Sequence, residues 1–231
     1  MKIVGEEAII AEYIGHYGGD IDVVKAARVS TGNATVEMGE KERKLIKYLA
    51  DHDHTTPFEM IDIKFAIEIP IFIARQYHRH RTFSYNEWSG RYSVVGDDFF
   101  LRDTFNKQDD KNKQGTKGGF TDEENKEIRR RMEIITLKAF EVYDWCINKG
   151  VAKEQARVIL GQNMMTRFYA KNDLHNWMHY CKQRCDPHAQ YEHQIIAKAV
   201  FKQLLSMFPI SVGALAKKRF SPEALKAVGL A

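Results

Sequence analysis

Apolar and polar positions repeat along this chain with two periods, and each period predicts a different kind of element. Ile61-Asp62-Ile63-Lys64-Phe65-Ala66-Ile67-Glu68-Ile69 places apolar residues at every second position, the pattern of a half-buried, antiparallel strand. Residues 7–14 predict an earlier strand, and Met165 to Ala170 an extended segment rich in aromatic and β-branched residues. Helical spacing governs much of the rest. Residues 20–28 predict a short helix capped by Asp20, and residues 39–52 set Leu45, Ile46 and Leu49 on one face among charges. Pro70 to His78 reads as a helix with Pro70 in its first turn. That helix would put Arg75 and Arg79 four residues apart on one face. Thr121-Asp122-Glu123-Glu124 is a capping box. Behind it Ile128, Met132, Ile135, Ala139, Val142 and Cys146 form the apolar stripe of the longest helix, which Gly150 stops. Further helices are expected over 153–160, from about Asn172 to Arg184, and from about His188 to Met207.

Strands and helices therefore come in blocks, without regular βαβ alternation. This favours an α+β fold, an antiparallel sheet packed with helices, over a doubly wound sheet. No G-x-G-x-x-G or Walker loop occurs, so the chain does not read as a Rossmann nucleotide binder. Residues 103–119, rich in Lys, Asp, Asn, Gln and Gly, cannot bury a face and predict a solvated, flexible loop. No repeat and no long Pro/Gly linker divides the 231 residues, so a single domain over 1–231 is expected.

Composition narrows the class of protein. Hydrophobic content of 44% and charged content of 29% are those of a soluble globular chain. No run of about 18 apolar residues is present, so no membrane span is expected. The first residues turn acidic without a long apolar region, so no secretory signal is expected. Three cysteines are too few for a disulfide framework and fit a reducing cytoplasm. A net charge of +4 does not argue for nucleic acid, but suits small anions gathered by a basic cleft.

The chemistry concentrates between Arg79 and Ser93. Arg79, Arg81 and Arg91 share fifteen residues with His80, Glu87, three serines and the aromatic residues Phe83, Tyr85, Trp88 and Tyr92, and with no lysine. Guanidinium groups crowd together when they have anions to share, and their planar forks fit phosphate and carboxylate. Gln76, just upstream, can both donate and accept, as a nucleobase edge or a ribose requires. A solvated charge run and a nucleic-acid surface are the competing readings. Glu87 in the middle of the run and the mild net charge weigh against nucleic acid.

Three other clusters carry alternatives. His52, Asp53, His54 and Glu59 could ligate a metal, or could simply place cations at a helix end. Cys181 and Cys185, with His179 and His188, could hold zinc. The second knuckle is missing, however, and a helical cysteine is more often a small buried hydrophobe. No metal is expected at either place. Arg157 alone reads as a solvated charge. Cys146, on an apolar stripe, should be inert, whereas Cys185 beside Arg184 has a route to activation.

Arg79-His80-Arg81, then seven residues, then Ser89 is the signature of the flavin-dependent thymidylate synthases, and the chain resembles that family. The match continues through Gln76, Ser84, Asn86, Glu87, Gly90 and Arg91. It takes in His54, Thr56, Pro57, Phe58 and Glu59, then Arg157 in an Ala-Arg-x-x-Leu pattern, and Arg184 ahead of Ala189-Gln190. The resemblance implies an FAD cofactor and conversion of dUMP to dTMP, with methylenetetrahydrofolate as carbon donor and NADPH as reductant. It implies dUMP binding by Gln76, Arg79, Glu87, Ser89, Gly90, Arg91, Arg157 and Arg184. It implies FAD binding by His54, Thr56, Arg79, His80, Arg81, Glu87, Asn172 and His179. Arg184 would stabilise negative charge on the pyrimidine, and neither a cysteine nor Ser89 would be a required nucleophile. The resemblance also implies a homotetramer with active sites shared between subunits.

Overall fold

A computed structural model of the chain describes residues 1–29, 32, 37–91, 96–111, 113 and 115–230. Tyr92 and Ser93, which close the arginine-rich run, and residues 112 and 114 of the hydrophilic stretch lie outside the described residues. The strands run β1 (Lys2–Val4), β2 (Ile10–Tyr17), β3 (Asp62–Pro70), β4 (Ser84–Glu87), β5 (Asp98–Phe100), β6 (Asn106–Gln108), β7 (Thr116–Gly119) and β8 (Met165–Asp173). The helices are α1 (Asp20–Arg28), α2 (Glu40–Asp51), α3 (Ile71–Tyr77), α4 (Asp122–Asn148), α5 (Lys153–Ala156), α6 (Leu174–Arg184), α7 (Tyr191–Met207), α8 (Pro209–Arg219) and α9 (Pro222–Ala227). A four-stranded sheet in the order β2-β3-β8-β4 combines with these helices in the α+β architecture expected from the block pattern. The residues group into two compact units. The larger comprises Ile10–Ile67, His78–Asn86 and Phe168–Ala231, and the smaller Met1–Ile9, Glu68–Tyr77 and Glu87–Arg167.

In the larger unit the core is built from helix faces set on strand residues. Val23 and Val24 of α1, Ile46, Leu49 and Ala50 of α2, and Leu174, Trp177 and Met178 of α6 are all buried. Each large apolar side chain buried in this way contributes about 1.5–3 kcal/mol. Trp177 meets Phe65 edge-on at 5.0 Å, and its indole N–H donates to the Ile63 carbonyl at 3.2 Å. Those contacts cover the apolar face that the alternation of β3 predicts. Ile63, Phe65, Ile67 and Ile69 are buried, while Lys64 is exposed and Asp62 and Glu68 are partly so; Ala66 alone departs, being buried on the other face. Asp20 also differs from expectation. Gly19 is the N-cap of α1, and its N–H donates to the Asp22 carboxylate at 2.9 Å. The Asp20 carboxylate instead accepts the N–H groups of Ile210 and Ser211 at 3.0 and 2.9 Å. It therefore satisfies orphan donors at the start of α8, a helix the sequence pattern does not announce.

In the smaller unit α4 begins as the capping box requires. Thr121 Oγ1 accepts from Glu124 N–H at 3.2 Å, and Thr121 N–H donates to the Glu124 carboxylate at 2.8 Å. The expected apolar stripe faces the core of this chain only in part: Ile128, Ala139 and Cys146 are partly buried. Ile135 is 70% exposed and Met132 and Val142 are exposed with it, while Thr136 and Tyr143 are buried. Tyr143 joins Phe99, Ala156 and Met164 in the core, with Phe140, Cys146 and Ile147 packed against them. The buried face is thus rotated away from the stripe read from the pattern. The hydrophilic stretch contains an exposed antiparallel hairpin of β6 and β7, where only loop was expected. β1 pairs in parallel with β5, and neither short strand was foreseen. Pro70 closes β3 instead of opening a helix, and α3 ends at Tyr77. Arg79 therefore lies beyond that helix and does not share a face with Arg75.

Candidate active site

In the larger unit, His78–Asn86 forms a loop and strand tied down by inward-facing side chains. Phe83 is buried and meets Trp177 edge-on at 4.5 Å. It also stacks on Tyr85 at 5.8 Å. The Tyr85 hydroxyl donates to the His80 carbonyl at 2.9 Å, and burial pushes that phenol's pKa well up. Asn172, at the end of β8 and buried, donates its side-chain amide to Thr82 Oγ1 at 3.0 Å. With His80 and Phe83 turned inward, Arg79 and Arg81 are left exposed. Among the described residues neither has a carboxylate within ion-pair distance, and both are available to an external anion.

Arg184 ends α6, where a cation is favoured by the helix dipole. It is half-buried, its Nε–H donates to His80 Nε2 at 3.1 Å, and burial lowers the pKa of its guanidinium. His80 is 8% exposed. Burial first, and then the charges of Arg184 and His179, bring its pKa down to about 4, so the ring is neutral at neutral pH. His193 of α7 is wholly buried beside it, with ring centroids 6.3 Å apart. Burial likewise depresses its pKa. No spacing in the sequence connects His193 to the arginine-rich run; only the packing of α7 on α6 does so.

His54 follows the end of α2. There His52 Nδ1 contacts the Tyr48 carbonyl at 2.8 Å, and Asp53 turns the chain with φ of 55°. His54 and Thr56 are exposed, and Phe58, fully buried, pins the short 3₁₀ turn that Thr56 begins. His179, exposed on α6, lies 3.0 Å from Gln183 Nε2. His175 and Arg219, which sequence reading passed over, form a contact of 3.1 Å, and Arg219 lies 3.8 Å from Asp53. Among the described residues no three His, Cys, Asp or Glu side chains gather as a metal site. Cys181 and Cys185 are completely buried, and burial raises the Cys181 thiol's pKa far above its usual range.

The smaller unit holds the rest of the expected residues. Glu87, at the end of β4, accepts from Thr166 Oγ1 at 2.7 Å. Ser89 Oγ accepts the Arg91 N–H at 3.3 Å. Among the described residues no imidazole or carboxylate bonds to Ser89. Gly90 is buried, Gln76 is partly buried on α3, and Arg91 pairs with Glu154 of α5 at 3.3 Å. Arg157 is exposed at the start of the 3₁₀ turn after α5 and has no ion-pair partner among the described residues.

These features define an α+β protein with exposed arginines on a loop anchored from within and with no glycine-rich phosphate loop. The chain belongs to the flavin-dependent thymidylate synthase family: residues 12–210 match the family model described as thymidylate synthase complementing protein. It is 42% identical over 198 residues to the flavin-dependent thymidylate synthase of Thermus thermophilus, covering 86% of this chain and 72% of that protein. It is 39% identical over 219 residues to the enzyme of the same name from Wolbachia pipientis, covering 94% of this chain and 77% of that one. The fold is similar to that of a UMP/dUMP methylase, PolB, from Streptomyces cacaoi, solved with 5-Br dUMP. The TM-score is 0.86 at 29% identity, over 96% of this chain and all of that one. No described helix is long and apolar enough to cross a membrane.

Proposed function

We propose that this chain catalyses the FAD-dependent reductive methylation of dUMP to dTMP, with methylenetetrahydrofolate as carbon donor and NADPH as reductant. One observation carries the reading: Arg184 is fixed by a neutral histidine on the loop that also exposes Arg79 and Arg81. The donor set fits a flavin dinucleotide. Its diphosphate needs guanidinium forks not already neutralised by carboxylates, and Arg79 and Arg81 meet that requirement. His54, Thr56, His80, Glu87, Asn172 and His179 complete the residues proposed to hold FAD. When bound, FAD supplies hydride transfer, which side chains cannot perform.

The protein's part is positioning and electrostatics. Gln76, Arg79, Glu87, Ser89, Gly90, Arg91, Arg157 and Arg184 are proposed to hold dUMP. The Arg184 guanidinium stabilises negative charge as it develops on the pyrimidine, in a half-buried setting where such charge is poorly solvated by water. Conventional attack on the ring by a thiolate would need an accessible, activated cysteine. The complete burial of Cys181 and Cys185 supports a route without one.

The chain is further proposed to act as a homotetramer with shared active sites, so these arginines need not all come from one subunit. Its exposed Met132, Ile135, Val142 and Trp145 on α4, and Tyr13 and Tyr17 on β2, support this, since a lone subunit rarely leaves so much apolar surface open.

An omission series tests the reading. FAD-loaded protein is given dUMP, methylenetetrahydrofolate and NADPH, each left out in turn, and dTMP is measured by chromatography. Product requiring all three is expected. No dTMP from folded, FAD-loaded protein with every component present would overturn the proposal.

A further inference from the structure

We propose that His80 is a positioning residue for Arg184: its neutral imidazole accepts the Arg184 Nε–H and orients the guanidinium without cancelling its charge. The inference rests on the role given to Arg184 above. The contact spans 104 residues of sequence at 3.1 Å. A guanidinium nitrogen can only donate, so Nε2 must carry the lone pair and the ring must be the Nδ1–H tautomer. Packing holds the ring in that attitude. It meets Tyr180 edge-on at 5.0 Å and Phe83 at 6.4 Å, and the Tyr85 hydroxyl fixes its backbone carbonyl.

The titratable groups facing His80 are Arg184, His179 and Tyr180 from α6, His193 from α7 and Tyr85 from β4. None of the charges that lower the His80 pKa is a carboxylate. Protonating the ring would remove the acceptor and set two cations 3.1 Å apart, which agrees with a pKa of about 4. The chemical advantage lies in the neutrality of the anchor. A carboxylate would hold Arg184 more strongly but would compensate its charge. An imidazole leaves the whole cation to face an anion developing on a substrate ring. This also separates His80 from its two neighbours in the motif: Arg79 and Arg81 point to solvent, while the histidine edge is engaged inside.

A double-mutant cycle tests the inference in FAD-loaded protein, with kcat and the dUMP dissociation constant read separately. Gln at position 80 can offer an acceptor near the place of Nε2, whereas Leu cannot. We expect His80→Leu to lower kcat roughly ten- to hundredfold, the range for a misplaced catalytic group, with a smaller effect on dUMP binding, which Arg184 is proposed to share with seven other residues. His80→Gln should restore most of the loss, and His80→Leu should cost almost nothing further in an Arg184→Ala background. Equal losses in both backgrounds, or Gln no better than Leu, would overturn it.

A second measurement needs no turnover. The ring ¹⁵N signals of His80 in the unmodified protein should report the Nδ1–H tautomer at pH 7, with the Nε2 signal moving in Arg184→Ala. An Nε2–H tautomer would overturn the inference whatever the activity. Absence of dTMP from the unmodified protein would instead strike the proposed function and leave this pairing to be judged by the ¹⁵N spectrum.

Discussion

Asn172 donates its side-chain amide to Thr82 Oγ1 at 3.0 Å, while its own side-chain oxygen accepts the Asp173 N–H at 2.9 Å. The end of β8 is thereby clamped to the loop that carries Arg79, His80 and Arg81. Breaking one partner of a buried hydrogen bond costs about 1–3 kcal/mol. Asn172→Ala should therefore lower the urea midpoint by an amount in that range and weaken FAD binding through a loosened loop. Unchanged stability with weakened FAD binding would show instead that Asn172 serves the cofactor directly.

The exposed arginines make a different prediction. A charge-assisted hydrogen bond is worth about 1.5–3 kcal/mol, and 1.4 kcal/mol is about a tenfold change in affinity. Arg81→Ala is expected to weaken FAD binding about tenfold or more with little loss of stability, because its side chain is exposed. Flavin fluorescence titrations at two salt concentrations should show weaker binding at the higher one. Salt-independent binding would argue against a diphosphate on these guanidiniums.

Acid should destabilise the larger unit through His80. Its pKa is about 4 in the folded chain against about 6.5 in an unfolded one. Between those values the unfolded state binds more protons, so stability is full above about pH 6.5 and is lost as pH falls toward about 4. The depressed His193 acts in the same direction. Urea midpoints measured from pH 7 to pH 4.5 should fall less steeply for His80→Gln than for the unmodified chain. Parallel curves would exclude His80 as a source of the acid sensitivity.

Light scattering on a sizing column should give a mass four times the 26.8 kDa of one chain. Ile135 is 70% exposed on α4, so Ile135→Lys should leave the subunit fold intact but shift the mass downward. A single-chain mass for the unmodified protein would contradict the assembly.

Much of the fold was legible in the sequence because it rests on local rules. The Thr121–Glu124 capping box and the alternation of β3 both state their element within a few residues. What could not be read depends on partners distant in sequence. Ile135 and Tyr143 both occur at helical spacing, but it is the packing of Phe99, Ala156 and Met164 that decides which one is buried. Periodicity reports that a face will be covered, not by what. The site divides in the same way. Arg79, Arg81 and Ser89 announce themselves by density and spacing. The contact between His80 and Arg184, and the placing of His193 beside them, exist only once α6 and α7 pack. Thr166, which holds Glu87, has no signal at all beyond a β-branched residue in a strand.

The measurement that bears most directly on the account is dTMP formation by protein stripped of flavin, assayed with and without added FAD in the presence of dUMP, methylenetetrahydrofolate and NADPH. No product is expected from the stripped protein, and full recovery is expected when FAD is restored. Product formed equally well by flavin-free protein would contradict it, and would turn attention to Cys185 beside Arg184.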